Sequence, residues 1–124
     1  MNRLFITLGA LNGLLAVALG AFAAHGLKAR LDAPMLAVFQ TGVHYHMTHA
    51  LALVLIGIIA QALPASKPLQ RAGWALLTGI ILFCGSLYLM AVSGLTWLGA
   101  ITPLGGTAFL IGWGLLAWAA WREL

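Results

Sequence analysis

The sequence predicts an all-α integral membrane protein: a four-helix bundle with both termini on the cytoplasmic side. Three observations predict it. Charged residues make up 6% of the chain, against roughly 25% in a soluble domain. The apolar residues form continuous runs, where the strands of a membrane barrel would alternate. Those runs, parted by short gaps that hold the lysines, arginines and prolines, are long enough for four crossings. A chain of 124 residues makes one domain.

The first run is Leu4 to Ala24. At ~1.5 Å rise per residue it covers ~30 Å, one hydrocarbon core. Arg3 and the stretch Ala21-Phe22-Ala23 resemble a secretory signal with its cleavage site. However, the run exceeds the ~7–15 residues of a signal core. It also carries Gly9, Gly13, Ala16 and Gly20 along one face, a stripe suited to close helix packing. A retained helix is expected.

The connector from His25 to Asp32 follows, with Gly26 as the expected helix stop. Asp32 is placed to cap the second helix, and Pro34 is tolerated in its first turn. That helix is expected over 33–63, with 40–63 as its membrane span. Pro64 to Arg71 reads as a loop, with two prolines and two cations. From Ala72 to Trp121 no charge interrupts fifty residues, which suits two further spans, 72–93 and 103–121. The break falls near Ser93-Gly94, and Thr102-Pro103 reads as the cap and first residue of the last helix.

Lysine and arginine set the orientation. With both termini inside, the cytoplasmic side holds Arg3, Lys67, Arg71 and Arg122, and the far side holds Lys28 and Arg30. Trp74, Trp118 and Trp121 then form an inner aromatic belt, with Trp97 at the outer one. On the expected boundaries most polar side chains near the spans gather toward the outer leaflet. The basic residues form no patch, so the net charge of +4 does not point to nucleic acid. Cys84 is the single cysteine, and it reads as a small buried hydrophobe.

Candidate chemistry centres on Gln40 to His49, which holds three of the four histidines. His46 and His49 are one turn apart and roughly 60° apart in azimuth, so both can face one ligand. His25 can add a third nitrogen from the first helix end. His44, Tyr45 and Tyr88 complete the candidate ligand-binding set. Beside a site for a ligand or a lipid headgroup, two further readings stay open. In one, His25, His46 and His49 hold a transition metal or haem, for which neutral imidazole is a common ligand. In the other, no cofactor is present and the histidines bridge helices by hydrogen bonds to Tyr88, Ser86, Thr102 and backbone carbonyls. Asn12 is expected to bond across to another helix, with Thr78 as a partner.

Catalysis and transport have little support. The chain holds no serine–histidine–acid set, no paired carboxylates and no phosphate-binding glycine loop with its lysine. Proton-driven exporters need a carboxylate in the membrane, and none lies in the expected spans. Expected partners are membrane lipids and a second copy of the chain, through Gly9, Gly13, Gly20, Gly105 and Gly112.

Four stretches resemble a known family: Ala21 to Leu27 (AFAAHGL), Tyr45 to Leu53 (YHMTHALAL), Gly85 to Leu89 (GSLYL) and Gly99 to Gly106 (GAITPLGG). In this order they are similar to the YgdD-like small inner-membrane proteins, a domain-of-unknown-function family with mitochondrial relatives. Ala23 stands where that family often has glycine. The resemblance covers essentially the whole chain. It implies four helices and an inner-membrane address, and it brings no established activity.

Overall fold

The computed structural model describes residues Met1 to Leu124 and contains helices and turns only. Four segments are long and apolar enough to cross a membrane: Asn2–Leu27 (α1), Ala33–Ile59 (α2), Lys67–Ser93 (α3) and Thr96–Glu123. The last opens with a 3-10 turn, Thr96–Ala100, before α4 proper, Thr102–Glu123. The expected all-α four-helix architecture is therefore what the chain adopts.

Local chemistry fixes the helix ends. Asp32 accepts a hydrogen bond from the Met35 N–H at 2.9 Å, capping α2 with Pro34 in its first turn. Ser66 does the same for α3 through the Leu69 N–H, at 3.2 Å, with Pro68 in the first turn. The Ser66 hydroxyl also donates to the Glu123 carboxylate, which ties the end of α4 to the start of α3. After Ser93, Gly94 turns the chain with φ 74°, the only positive φ present.

Several expected boundaries move. Gly26 does not stop α1; the helix runs through it in a π turn, Ala23–Leu27. α2 ends at Ile59 instead of residue 63, and α3 starts at Lys67, inside the expected loop. Thr102 opens α4 without capping it, since Ile101 holds the cap position. α3 also contains a π turn, Ile80–Cys84, which places one extra residue in its middle.

α1 packs along α2, α3 packs along α4, and α2 joins the pairs by contacting α3. The buried centre holds Phe5, Leu53, Ile56, Leu69, Leu76 and Cys84. Large apolar side chains cover the outside; Leu14 is 67% and Leu110 75% exposed. That inversion suits hydrocarbon as the solvent.

In lipid, helices associate through close packing more than through a hydrophobic drive. Gly9 shows how: a Cβ there would lie 2.6 Å from Val54 Cγ2 and 2.7 Å from the Ala50 carbonyl oxygen. Gly105 rests directly on the Phe83 backbone in the π turn, and Gly112 rests on Leu76. Gly20 faces Val43, and of the five glycines expected to meet a second copy only Gly13 has open space around it. Most of the small-residue stripe thus seats helices of the same chain.

Candidate functional site: two histidine centres on α2

The revised ends of α2 change where its histidines lie. Ala33 stands thirteen residues before His46, and Ile59 thirteen after it. At ~1.5 Å per residue, His46 is ~20 Å from either end. The site therefore sits nearer the helix centre than a 40–63 span implies.

His46 and His49 are both buried, at 2% and 4% exposure. They do not share a ligand position. α2 is the middle helix, so a ~60° difference in azimuth is enough to aim the two rings at different neighbours.

His46 faces α1 and α3. Its Nδ1 lies 2.9 Å from the Tyr88 hydroxyl, and its Nε2 lies 2.9 Å from Asn12 Oδ1. Asn12 donates its amide N–H to the Leu8 carbonyl at 2.8 Å, so its oxygen is the acceptor. His46 Nε2 therefore donates to Asn12, and in the neutral ring Nδ1 accepts from Tyr88. One directional chain of hydrogen bonds links α3, α2 and α1. Tyr88 also packs on Phe39, with ring centroids 4.8 Å apart. Asn12 does bond across helices, but to His46; Thr78 returns its hydroxyl to Trp74 in its own helix.

His49 faces α4. Trp113 Nε1 can only donate, and it does so to His49 Nε2 at 3.0 Å. The other nitrogen, Nδ1, then carries the proton and donates to the Tyr45 carbonyl at 2.6 Å. The imidazole lies flat on Phe109, with centroids 3.6 Å apart and planes 10° apart. The two histidines are thus held in opposite tautomers by fixed partners.

The remaining candidates fall into place around these centres. His25 is set apart in the π turn of α1, where its Nδ1 lies 2.8 Å from the Ala21 carbonyl. No three ligand-type side chains come together to hold a metal ion, so His25, His46 and His49 are not grouped as the metal or haem reading would require. The reason is geometric: each buried ring already has both nitrogens engaged. Ser86 and Thr102 bond each other, at 2.6 Å, and touch neither histidine.

His44 and Tyr45 line a groove of about 470 Å³ between α2, α3 and α4, together with His49, Phe83, Phe109 and Trp113. Tyr45 packs on Phe83 with centroids 4.6 Å apart. Phe83, Phe109 and Trp113 were not among the residues the sequence singled out. A signal for them existed: Phe109 and Trp113 are one turn apart, and Trp113 is a tryptophan at mid-helix, away from the interfaces where that residue usually anchors.

Comparison with known proteins places this arrangement in a family. The family described as "Protein of unknown function (DUF423)" matches residues 19–106, a stretch that contains His25, His46, His49 and Tyr88. The chain belongs to the DUF423 family. Its relatives include the UPF0382 membrane protein YwdK of Bacillus subtilis, 49% identical over 122 residues, covering 98% of this chain and 99% of the relative. UPF0382 membrane protein SAB0533 of Staphylococcus aureus is 44% identical over 120 residues, covering 97% of each chain. SSP2132 of Staphylococcus saprophyticus is 46% identical over 114 residues, covering 92% and 93%. No solved structure matches. DUF423 membership agrees with the resemblance to a membrane family of unknown function. The relatives' names state a membrane protein and no activity.

Proposed function

We propose that this DUF423 protein is a non-enzymatic accessory protein of the inner (plasma) membrane, with both termini cytoplasmic. It acts through packing and contact within the bilayer. One observation carries the reading: all four ring nitrogens of His46 and His49 are engaged by the chain's own atoms. Rings bonded in this way join helices; a metal or haem iron would need one of those nitrogens free. The two histidine centres then hold α1, α2 and α3 in register on one side and α2 against α4 on the other.

The orientation rests on Arg3, Lys67, Arg71 and Arg122 against Lys28 and Arg30. The partners in this reading are membrane lipids and, through the open face of α1 around Gly13, a second copy of the chain.

The test compares purified wild type with His49→Ala by metal analysis, by absorbance in the haem region and by unfolding in detergent. The proposal expects a less stable variant and neither stoichiometric metal nor a haem band in either protein. Stoichiometric metal or haem in the wild type that disappears in His49→Ala would overturn it.

A further inference from the structure

A bilayer changes which polar groups are satisfied. Every buried polar side-chain atom in this fold has a partner. Polar atoms on the outside of a soluble protein are satisfied by water, but near the middle of a membrane helix no water is there to do so. Most outward-facing hydroxyls solve this locally. Thr41, Thr48, Thr78 and Thr107 each donate to the carbonyl four residues back. Asn12, His46, His49 and Trp113 are bonded across helices.

The His44 ring and the Tyr45 hydroxyl are different. Both belong to exposed residues within two positions of the α2 midpoint, and neither side chain makes a hydrogen bond; the bonds of Thr48 and His49 to these residues go to their backbone carbonyls. Both line the same groove of about 470 Å³, within the roughly 300–1,000 Å³ typical of small-molecule sites. Three aromatic rings, Phe83, Phe109 and Trp113, form flat walls, with His49 stacked on Phe109, and Thr48, Gly106 and Leu110 complete the lining. No charged side chain lines it.

These features restrict the occupant. A phospholipid headgroup is charged and sits about 15 Å from the bilayer centre, so depth and charge both exclude it. The occupant must come from the hydrocarbon, be uncharged, present a flat face to aromatic rings, and carry oxygen atoms that can meet one imidazole and one phenol. We propose that the groove binds the ring of a quinone-type lipid. His44 and Tyr45 donate hydrogen bonds to its carbonyl oxygens, and its tail stays in the bilayer. This adds a ligand to the accessory role and uses different atoms from those that carry that role, so either can fail alone.

The test uses the full chain in phosphatidylcholine nanodiscs with a photoactivatable azido-benzoquinone bearing a ten-carbon tail. Decylubiquinone is the competitor, and labelled peptides are mapped by mass. Labelling is expected on peptides containing residues 44–49 and 106–113, and excess decylubiquinone is expected to remove it. His44→Phe and Tyr45→Phe should each weaken competition by roughly three- to tenfold, the worth of one hydrogen bond. Leu110→Trp, which narrows the groove without touching either donor, should also weaken it. A wild-type unfolding midpoint in Tyr45→Phe shows that the fold is intact. Labelling spread evenly over the four helices, labelling that decylubiquinone does not displace, or unchanged competition in both donor variants would overturn the proposal.

Discussion

Replacing Tyr88 with phenylalanine removes one oxygen atom and leaves the ring that packs on Phe39 at 4.8 Å. The loss is therefore the hydrogen bond to His46 Nδ1, 2.9 Å long and joining α3 to α2. Interhelical hydrogen bonds in membrane proteins average about 0.6 kcal/mol and reach about 1.7 kcal/mol. This one lies at the upper part of that range, because its loss leaves Nδ1 a buried acceptor without its donor. We expect Tyr88→Phe to cost about 1 to 1.7 kcal/mol. His46→Leu breaks the bonds to both Tyr88 and Asn12 and should cost about 1 to 3 kcal/mol. Adding Tyr88→Phe to His46→Leu should then cost nothing further, since the partner is already gone. The assay is reversible unfolding of purified protein in mixed detergent and dodecyl sulfate, followed by circular dichroism. A Tyr88→Phe protein as stable as wild type, or a double variant showing the full sum of the two losses, would refute the directional chain.

Gly105→Ala should destabilise by about 1–3 kcal/mol or more, because its methyl would press on the Phe83 backbone, whereas Gly13→Ala enters open space and should leave the unfolding midpoint unchanged. Trp113→Phe keeps an aromatic ring near His49 but removes the donor to Nε2; a loss of about 1 kcal/mol is expected in the same unfolding assay. Ser66→Ala removes both the α3 cap and the tie to Glu123. It should cost about 0.5–2 kcal/mol and speed proteolysis at the 60–66 turn, read by limited digestion in detergent.

The architecture was legible because it depends on run length and composition, which the sequence displays directly. The helix ends were less so. Ser66 with Pro68 is a cap and first-turn pair of the same kind as Asp32 with Pro34, yet the prolines and cations around it suggested a loop. Gly26 looked like a stop, but glycine's advantage as a helix stop is its ease in the left-handed conformation, and here Gly94 alone takes it. Both π turns were invisible, since an extra residue in a turn leaves no mark in an unbroken apolar run.

At the site, the sequence identified the residues and missed their grouping. Spacing puts His46 and His49 on neighbouring azimuths, but it does not say that a helix boundary runs between them. That boundary exists because α2 has neighbours on both sides. Tyr88 was foreseen as a histidine partner; Asn12 was expected to bond elsewhere. The aromatic walls of the groove come from α3 and α4, distant in sequence, and only the folded chain brings Phe83, Phe109 and Trp113 beside Tyr45.

The π turn at Ile80–Cys84 makes α3 behave as two segments with different rotational phase. From Gly85 to Ser93 the residue count runs one ahead of the segment that begins at Lys67, because the wide turn absorbs the surplus residue. Deleting one amino acid there would let the wide turn close to an ordinary α-helical one with Tyr88 still on His46 and Ser86 still on Thr102, whereas a second deletion would swing the distal segment by ~100° and move both off their partners together. The turn thus holds one residue of slack, and beyond that slack the two polar contacts answer together to a single count of residues.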